Sequence, residues 1–332
     1  MVFPELCITG YTCQDLFLQR RLLDSAWETL MRIAAATADV DALIFLGVPV
    51  RNKGKLYNAA AGRNRGESLG LVPKSYLPNY GEFYEQRHFV SGLGCLEFMS
   101  INGKKIPFGT NLLFVCEELQ ELIVAAEICE DLWVNMPPSV IHAQAGANLI
   151  VNLSASNEMV GKDSYRRSLV SGQSARLVCG YVYANAGEAE STQDLVFGGQ
   201  TMIAENGSIL AEGERFKNGI VYSEIDVQRL NDERKRLTTW QSCEDSDHLR
   251  IPFHLKMEET KLTRQYSRYP FVPSQKSERD LRCDEILNLK AMGLKKRLDH
   301  INCQQANVGL YGGQDFTLAL RVLSRDFTLY VD

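Results

Sequence analysis

Metal-ligand spacing is missing from this 332-residue chain. The five histidines, His88, His142, His248, His254 and His300, are scattered without a ligand pattern, and the nine cysteines include no CxxC pair. That argues against a zinc site, and an odd, dispersed set of thiols argues against a disulfide framework. Free thiols in a reducing cytoplasm are the expectation. No apolar run reaches membrane-spanning length, and the opening Met1-Val2-Phe3-Pro4-Glu5 lacks the basic-then-apolar order of a secretory signal. Positive charge is also in short supply: the net charge is -5 and the pI near 5.7, which argues against a general nucleic-acid surface. The one basic cluster, 229–236 (RLNDERKR), is interrupted by acids and reads as a solvated helix face. Internal repeats and low-complexity tracts are absent.

What is present is an ordinary globular composition, 45% hydrophobic and 23% charged, enough for one large domain or two smaller ones. Apolar residues at helical spacing run through 14–36 (Leu16, Phe17, Leu22, Leu23, Trp27, Leu30, Ile33). Strand-like runs follow at 42–47, 112–116, 122–129, 147–153, 178–184 and 200–204, with helices expected at 139–145 and 165–177. Asn206-Gly207 predicts a hairpin turn. The alternation predicts a layered α/β domain, a sheet core covered by helices. After about residue 235 the pattern changes. Residues 238–275 show no clear period and read as a linker or extended arm, a helix is expected from 278 to about 300, and 306–310 resembles the first strand of another domain.

The chemistry concentrates at Glu127-Ile128-Cys129-Glu130-Asp131-Leu132-Trp133, where a thiol ends a strand-like run and carboxylates follow at once. A structural cysteine normally sits among apolar neighbours, whereas a nucleophile tends to sit where a strand turns toward a pocket. Such a nucleophile needs a base and a group to hold the developing oxyanion. The histidines have no distinctive local motif, which leaves a carboxylate and a lysine. Glu5 ends the apolar stub Phe3-Pro4-Glu5, and Lys74 ends the extended segment Leu71-Val72-Pro73-Lys74. Each has a bland alternative, a solvated terminal acid and a surface lysine.

Together, Phe3-Pro4-Glu5, Val72-Pro73-Lys74 and the run around Cys129 resemble, in order, the Glu-Lys-Cys set of the carbon–nitrogen hydrolase (nitrilase-like) superfamily. The chain is similar in particular to the glutaminase domain of the glutamine-dependent NAD synthetase family, through PELCITGYTCQDLF (4–17), GLVPKSYLPNYGEFYEQRHF (70–89), EICEDLWV (127–134), NLSASNEMVGKDSYRR (152–167) and FGGQTMIAENG (197–207). The resemblance implies an α-β-β-α sandwich of the nitrilase type over 1–235, a linker over 236–277, and the incomplete start of an α/β adenine-nucleotide α-hydrolase-like synthetase domain over 278–332. It also implies roles. Cys129 would attack the glutamine side-chain amide, Glu5 would act as general base, and Lys74 with the Glu130 backbone N–H would hold the oxyanion. Glu82, eight residues after Lys74, matches the second glutamate that orients the site. Tyr80, Phe83, Glu130, Trp133, Ser156 and Lys162 match positions lining the glutamine pocket.

The same resemblance implies partners and cofactors. The glutaminase step needs no cofactor or metal. Its ammonia would feed an ATP- and Mg2+-dependent amidation of deamido-NAD to NAD in a complete synthetase domain, and homo-oligomers without nucleic acid or membrane partners are expected. Gly312, Gly313 and Asp315 match a pyrophosphate-binding loop in which Tyr311 and Phe316 replace two serines, so the loop is expected to be impaired. Two further departures are expected to matter. The family's opening strand and helix are not seen before Glu5, which would leave that base on a fraying, exposed edge, and the resemblance stops just past the phosphate loop. Three readings stay open: an active glutaminase, an inactive remnant that binds intact subunits, and a free-standing nitrilase-type amidase.

Overall fold

A computed structural model describes residues 1–101, 103–192, 194–243, 247–259, 263–266, 268–303 and 312–324. After a 3-10 segment at Tyr11–Leu18 the elements run α1 (Arg20–Ala36), β1 (Leu43–Asn52), β2 (Lys55–Asn64), β3 (Glu67–Pro73), β4 (Leu96–Ile101), β5 (Lys104–Gly109), β6 (Leu112–Cys116) and β7 (Ile123–Ile128). Then come α2 (Pro138–Gln144), β8 (Leu149–Ser154), α3 (Lys162–Leu177), β9 (Gly180–Asn185), β10 (Met202–Glu205), β11 (Ser208–Glu212), α4 (Val227–Arg236), β12 (Leu249–Phe253), α5 (Lys276–His300) and α6 (Gln314–Ser324). The chain divides into two compact units, Met1–Thr263 and Arg264–Asp332.

The first unit holds a five-stranded sheet, β1-β2-β3-β5-β4, and a seven-stranded sheet, β11-β10-β9-β8-β7-β6-β12. Side chains alternate between the faces of a strand, so each sheet can pack two ways. Phe45, Ala60 and Val72 of the first sheet meet Phe114, Ala126, Ile128 and Val151 of the second in one buried cluster. On the far face of the first sheet, Ala26 and Leu30 of α1 pack on Ile44, Leu46 and Val48. On the far face of the second, Ala143 of α2 and Val170 and Leu177 of α3 cover Ala125, Ile150, Tyr181 and Tyr183. This is the expected α-β-β-α sandwich of the nitrilase type, with mixed sheets.

Three expectations are corrected. Glu5 does not ride on a fraying end. The Met1 ammonium donates to Leu43 O at 2.6 Å, Phe45 N to Met1 O at 2.9 Å and Phe3 N to Phe45 O at 3.0 Å, so residues 1–3 run beside β1. Glu5 N then donates to Ser154 O at 3.3 Å, at the end of β8. Gly47 permits this path: a Cβ there would lie 2.1 Å from Leu6 N and 2.5 Å from Pro4 O. Second, the expected linker contains β12, which pairs in parallel with β6 from Leu249↔Leu112 to Phe253↔Cys116. Third, the 229–236 cluster does form helix α4 but is not wholly solvated. Arg234 is buried, donating to the carbonyls of Ala147, Leu177 and Val178 at 2.7 to 3.1 Å and stacking on Trp240.

In the second unit α5 is the helix expected from residue 278. The strand expected at 306–310, together with Tyr311 and the side chain of Phe316, lies outside the described residues. Gly312 and Gly313 are exposed ahead of α6, and Asp315 sits in its first turn.

Candidate active site

The carboxyl ends of strands converge on one buried cluster. Lys74 follows β3, Cys129 follows β7, and Glu5 is pinned beside the end of β8. Residues at strand ends are held by the sheet yet face the space outside it. Glu5 and Lys74 are both fully buried, and the Lys74 ammonium donates to Glu5 Oε1 at 2.7 Å and to Glu85 Oε1 at 2.6 Å. Asn58 Nδ2 also donates to Glu5 Oε1 at 2.6 Å, and the Ala155 amide to Glu5 Oε2 at 2.9 Å. The phenol of Tyr11 donates to Glu85 Oε1 at 2.8 Å, and Glu85 Oε2 is buried without a hydrogen-bond partner among the described residues. Burial alone would lower the Lys74 ammonium, but Glu5 and Glu85 outweigh it and hold it well above the usual lysine range. Burial pushes Glu85 up to about 7, against the pull of Lys74.

Cys129 opens a 3-10 turn, Cys129–Leu132, with φ 45, a left-handed backbone that costs a non-glycine residue energy. Two side chains hold that turn. Asn152 Oδ1 accepts from Cys129 N at 3.2 Å, and Asp131 Oδ2 accepts from Ile128 N at 2.9 Å. The thiol is buried, and burial followed by the charge of Glu5 pushes it upward while Lys74 pulls it down. The net direction is up. At rest the site therefore holds a neutral thiol within electrostatic reach of a carboxylate, an arrangement suited to proton transfer during attack.

Beside this cluster lies an amphipathic wall. Lys162 Nζ sits 5.0 Å from the Trp133 ring centroid and 5.9 Å from that of Phe83, and burial lowers its pKa. Tyr80 packs edge-on to Phe83 and donates to Glu130 Oε1 at 2.7 Å. Asn157 bridges two opposite charges, donating from Nδ2 to Glu82 and accepting at Oδ1 from Lys162.

The carbon–nitrogen hydrolase family model matches residues 1–235. This chain belongs to the carbon–nitrogen hydrolase family. Its relatives include the glutamine-dependent NAD(+) synthetase of Mycobacterium tuberculosis, 41% identical over 331 residues, covering 97% of this chain and 49% of the relative. That of Aquifex aeolicus is 29% identical, covering 98% and 53%. Among solved structures, a glutamine-dependent NAD(+) synthetase from Cytophaga hutchinsonii superposes with a TM-score of 0.59 at 34% identity, covering 67% of this chain and 35% of that one. A carbon–nitrogen hydrolase from Helicobacter pylori, at TM-score 0.56 and 20% identity over 71% of this chain and 80% of that one, shares the fold. The chain spans about half the length of the curated relatives it matches.

Within this family fold the structure brings Glu5, Lys74 and Cys129 together and gathers Tyr80, Phe83, Glu130, Trp133 and Lys162 beside them. Two assignments shift. The second carboxylate on Lys74 belongs to Glu85, while Glu82, three residues earlier, faces Asn157. Ser156 is buried with its hydroxyl accepting from Arg166 Nη2 at 3.2 Å, so its side chain serves the scaffold. Arg166 itself escaped the sequence reading: fully buried, it also donates to Asn157 O and Glu158 Oε1, both at 2.8 Å. Tyr11, Asn58, Asn152 and Asn157 were missed too. Local sequence offers no signal for them, because each acts on a partner distant in the chain.

Proposed function

We propose that this chain hydrolyses the side-chain amide of glutamine to glutamate and ammonia. The observation that carries the reading is the buried Glu5–Lys74 pair beside Cys129, in a chain whose relatives in Mycobacterium tuberculosis and Aquifex aeolicus are named as glutamine-dependent synthetases. Glu5 takes the thiol proton as Cys129 Sγ attacks the amide carbon, and the Lys74 ammonium with the Glu130 amide stabilises the oxyanion. Glu5 then returns the proton to the departing nitrogen, the carbon–nitrogen bond breaks, and a thioester and ammonia form. Water attacks the thioester with Glu5 again as base, which releases glutamate and restores the thiol. Glu85 Oε2, a buried acceptor without a partner among the described residues, is available to an amide N–H. Glu82 and Lys162 offer opposite charges to the two ends of an amino-acid head group, and the aromatic wall receives its apolar stem.

The ammonia would serve an ATP- and Mg2+-dependent synthesis of NAD from deamido-NAD in a complete synthetase domain. Gly312, Gly313 and Asp315 stand ahead of and within one helix turn, and no three His, Cys, Asp or Glu side chains gather among the described residues to hold a metal.

The test is glutamine-dependent ammonia release by the purified chain. Cys129→Ala is expected to reduce release to background with its circular dichroism unchanged. A chain that leaves glutamine intact while cleaving another amide would replace this reading with that of a free-standing amidase.

A further inference from the structure

The two elements that carry the nucleophile and the lysine are distant in sequence, and one side chain holds them together. Asp131 is buried, lies two residues after Cys129, and is surrounded by backbone donors. Its Oδ1 accepts from Tyr76 N at 2.8 Å and Ser75 N at 3.2 Å, the two amides that follow Lys74. Its Oδ2 accepts from Ile128 N at 2.9 Å, the amide before Cys129. One carboxylate thus ties the end of β3 to the turn after β7. A neutral side chain of the same shape cannot do this, because an Asn has one oxygen, and its NH2 would face a backbone N–H on one side or the other.

We propose that Asp131 is a positioning residue that sets the Cys129 thiol against the Lys74 ammonium. It touches neither sulfur nor substrate; it acts through the backbone on both sides. Burial pushes the Asp131 carboxyl up to about 8, against the pull of the Ile128 amide, the Lys74 charge and the Tyr76 amide, and a merely packed position would be filled more cheaply by an apolar residue. The turn it restrains is the strained one, with Cys129 at φ 45. Strain of that kind persists only where neighbouring contacts over-determine it. The inference rests on the glutaminase reading for its kinetic consequence, but its geometric core does not need it.

The experiment compares the full chain with Asp131→Asn and Asp131→Ala in three measurements. The first is kcat and KM for glutamine per folded molecule. The second is the rate at which iodoacetamide alkylates Cys129, followed by mass on the Cys129 peptide because other thiols are exposed. The third is hydrogen exchange at Ile128, Ser75 and Tyr76. The proposal expects Asp131→Asn to lower kcat at least tenfold with KM within threefold, to change the Cys129 alkylation rate at least threefold, and to raise exchange on one or both sides. A kcat per folded molecule and an alkylation rate both within twofold of the native chain would overturn it. If the native chain proves inert toward glutamine, the glutaminase reading falls while alkylation and exchange still decide the clamp. If neither variant folds, exchange in the native chain decides: a shared opening of the three amides supports the link, and independent opening overturns it.

Discussion

Glu82 and Glu85 lie three residues apart in one segment, and only their surroundings tell them apart. Glu85 is buried against Lys74 and Tyr11, whereas Glu82 is half-exposed against Asn157. Glu85→Ala is therefore expected to cut kcat for glutamine roughly 100-fold. Glu82→Ala is expected to act mainly on KM, and steady-state kinetics on the two variants separates these outcomes. The pair of His142 and His248, with Nδ1 of the first 2.9 Å from Nε2 of the second, belongs to the same scale. Burial lowers His142 to about 3, below the ordinary histidine value near 6.5. Between those pH values the unfolded chain binds a proton that the folded chain excludes, so stability is complete above about 6.5 and is lost as pH falls toward 3. Urea midpoints from pH 7.5 to 4.5 should fall less steeply in His142→Gln than in the native chain. The catalytic candidates Glu5, Lys74 and Cys129 were legible as residues because their flanking runs are distinctive. Glu85, Asn58 and Tyr11 were not, since a hydrogen bond between residues 11 and 85 leaves no local trace.

At the level of elements, β6 to β10 were visible as apolar runs because parallel and central strands are buried on both faces. The partners of β1 were harder to see. Strand β2 reads KLYNAAAGRN, with Ala, Gly and Asn where strands usually carry branched residues, and small side chains there accommodate α1 on one face and the second sheet on the other. The helix expected over 14–36 is interrupted: Gln14 has φ 48, and α1 starts only at Arg20. Arg234 of α4 shows how a charge pattern misleads. Its neighbours are solvated, but its guanidinium satisfies the carbonyls of Leu177 and Val178 at the end of α3 and of Ala147 ahead of β8. Arg234→Ala leaves those carbonyls unpaired and is expected to cost about 3 kcal/mol, read as a lower urea midpoint with activity at low denaturant retained.

Across the whole molecule the decisive boundary is Thr263. The family match ends at residue 235, but β12 lies beyond it and closes the edge of the seven-stranded sheet against β6. A chain ending at 235 is expected to expose β6 as an open edge and to aggregate or unfold at lower urea, whereas one ending at 263 should keep the midpoint of the first unit. Size-exclusion chromatography and urea titration of the two truncations check this. The sequence by itself determined the layered α/β class and the family, because periodicity and long motifs are local properties of the chain. Tertiary structure alone decided which carboxylate reaches Lys74, that residues 1–5 are pinned beside β1 and β8, and that Asp131 joins the cysteine turn to the lysine strand. Those outcomes depend on which backbone amides and carbonyls remain unpaired once the sheets have formed. Only the folded register brings such groups within hydrogen-bond reach of one another.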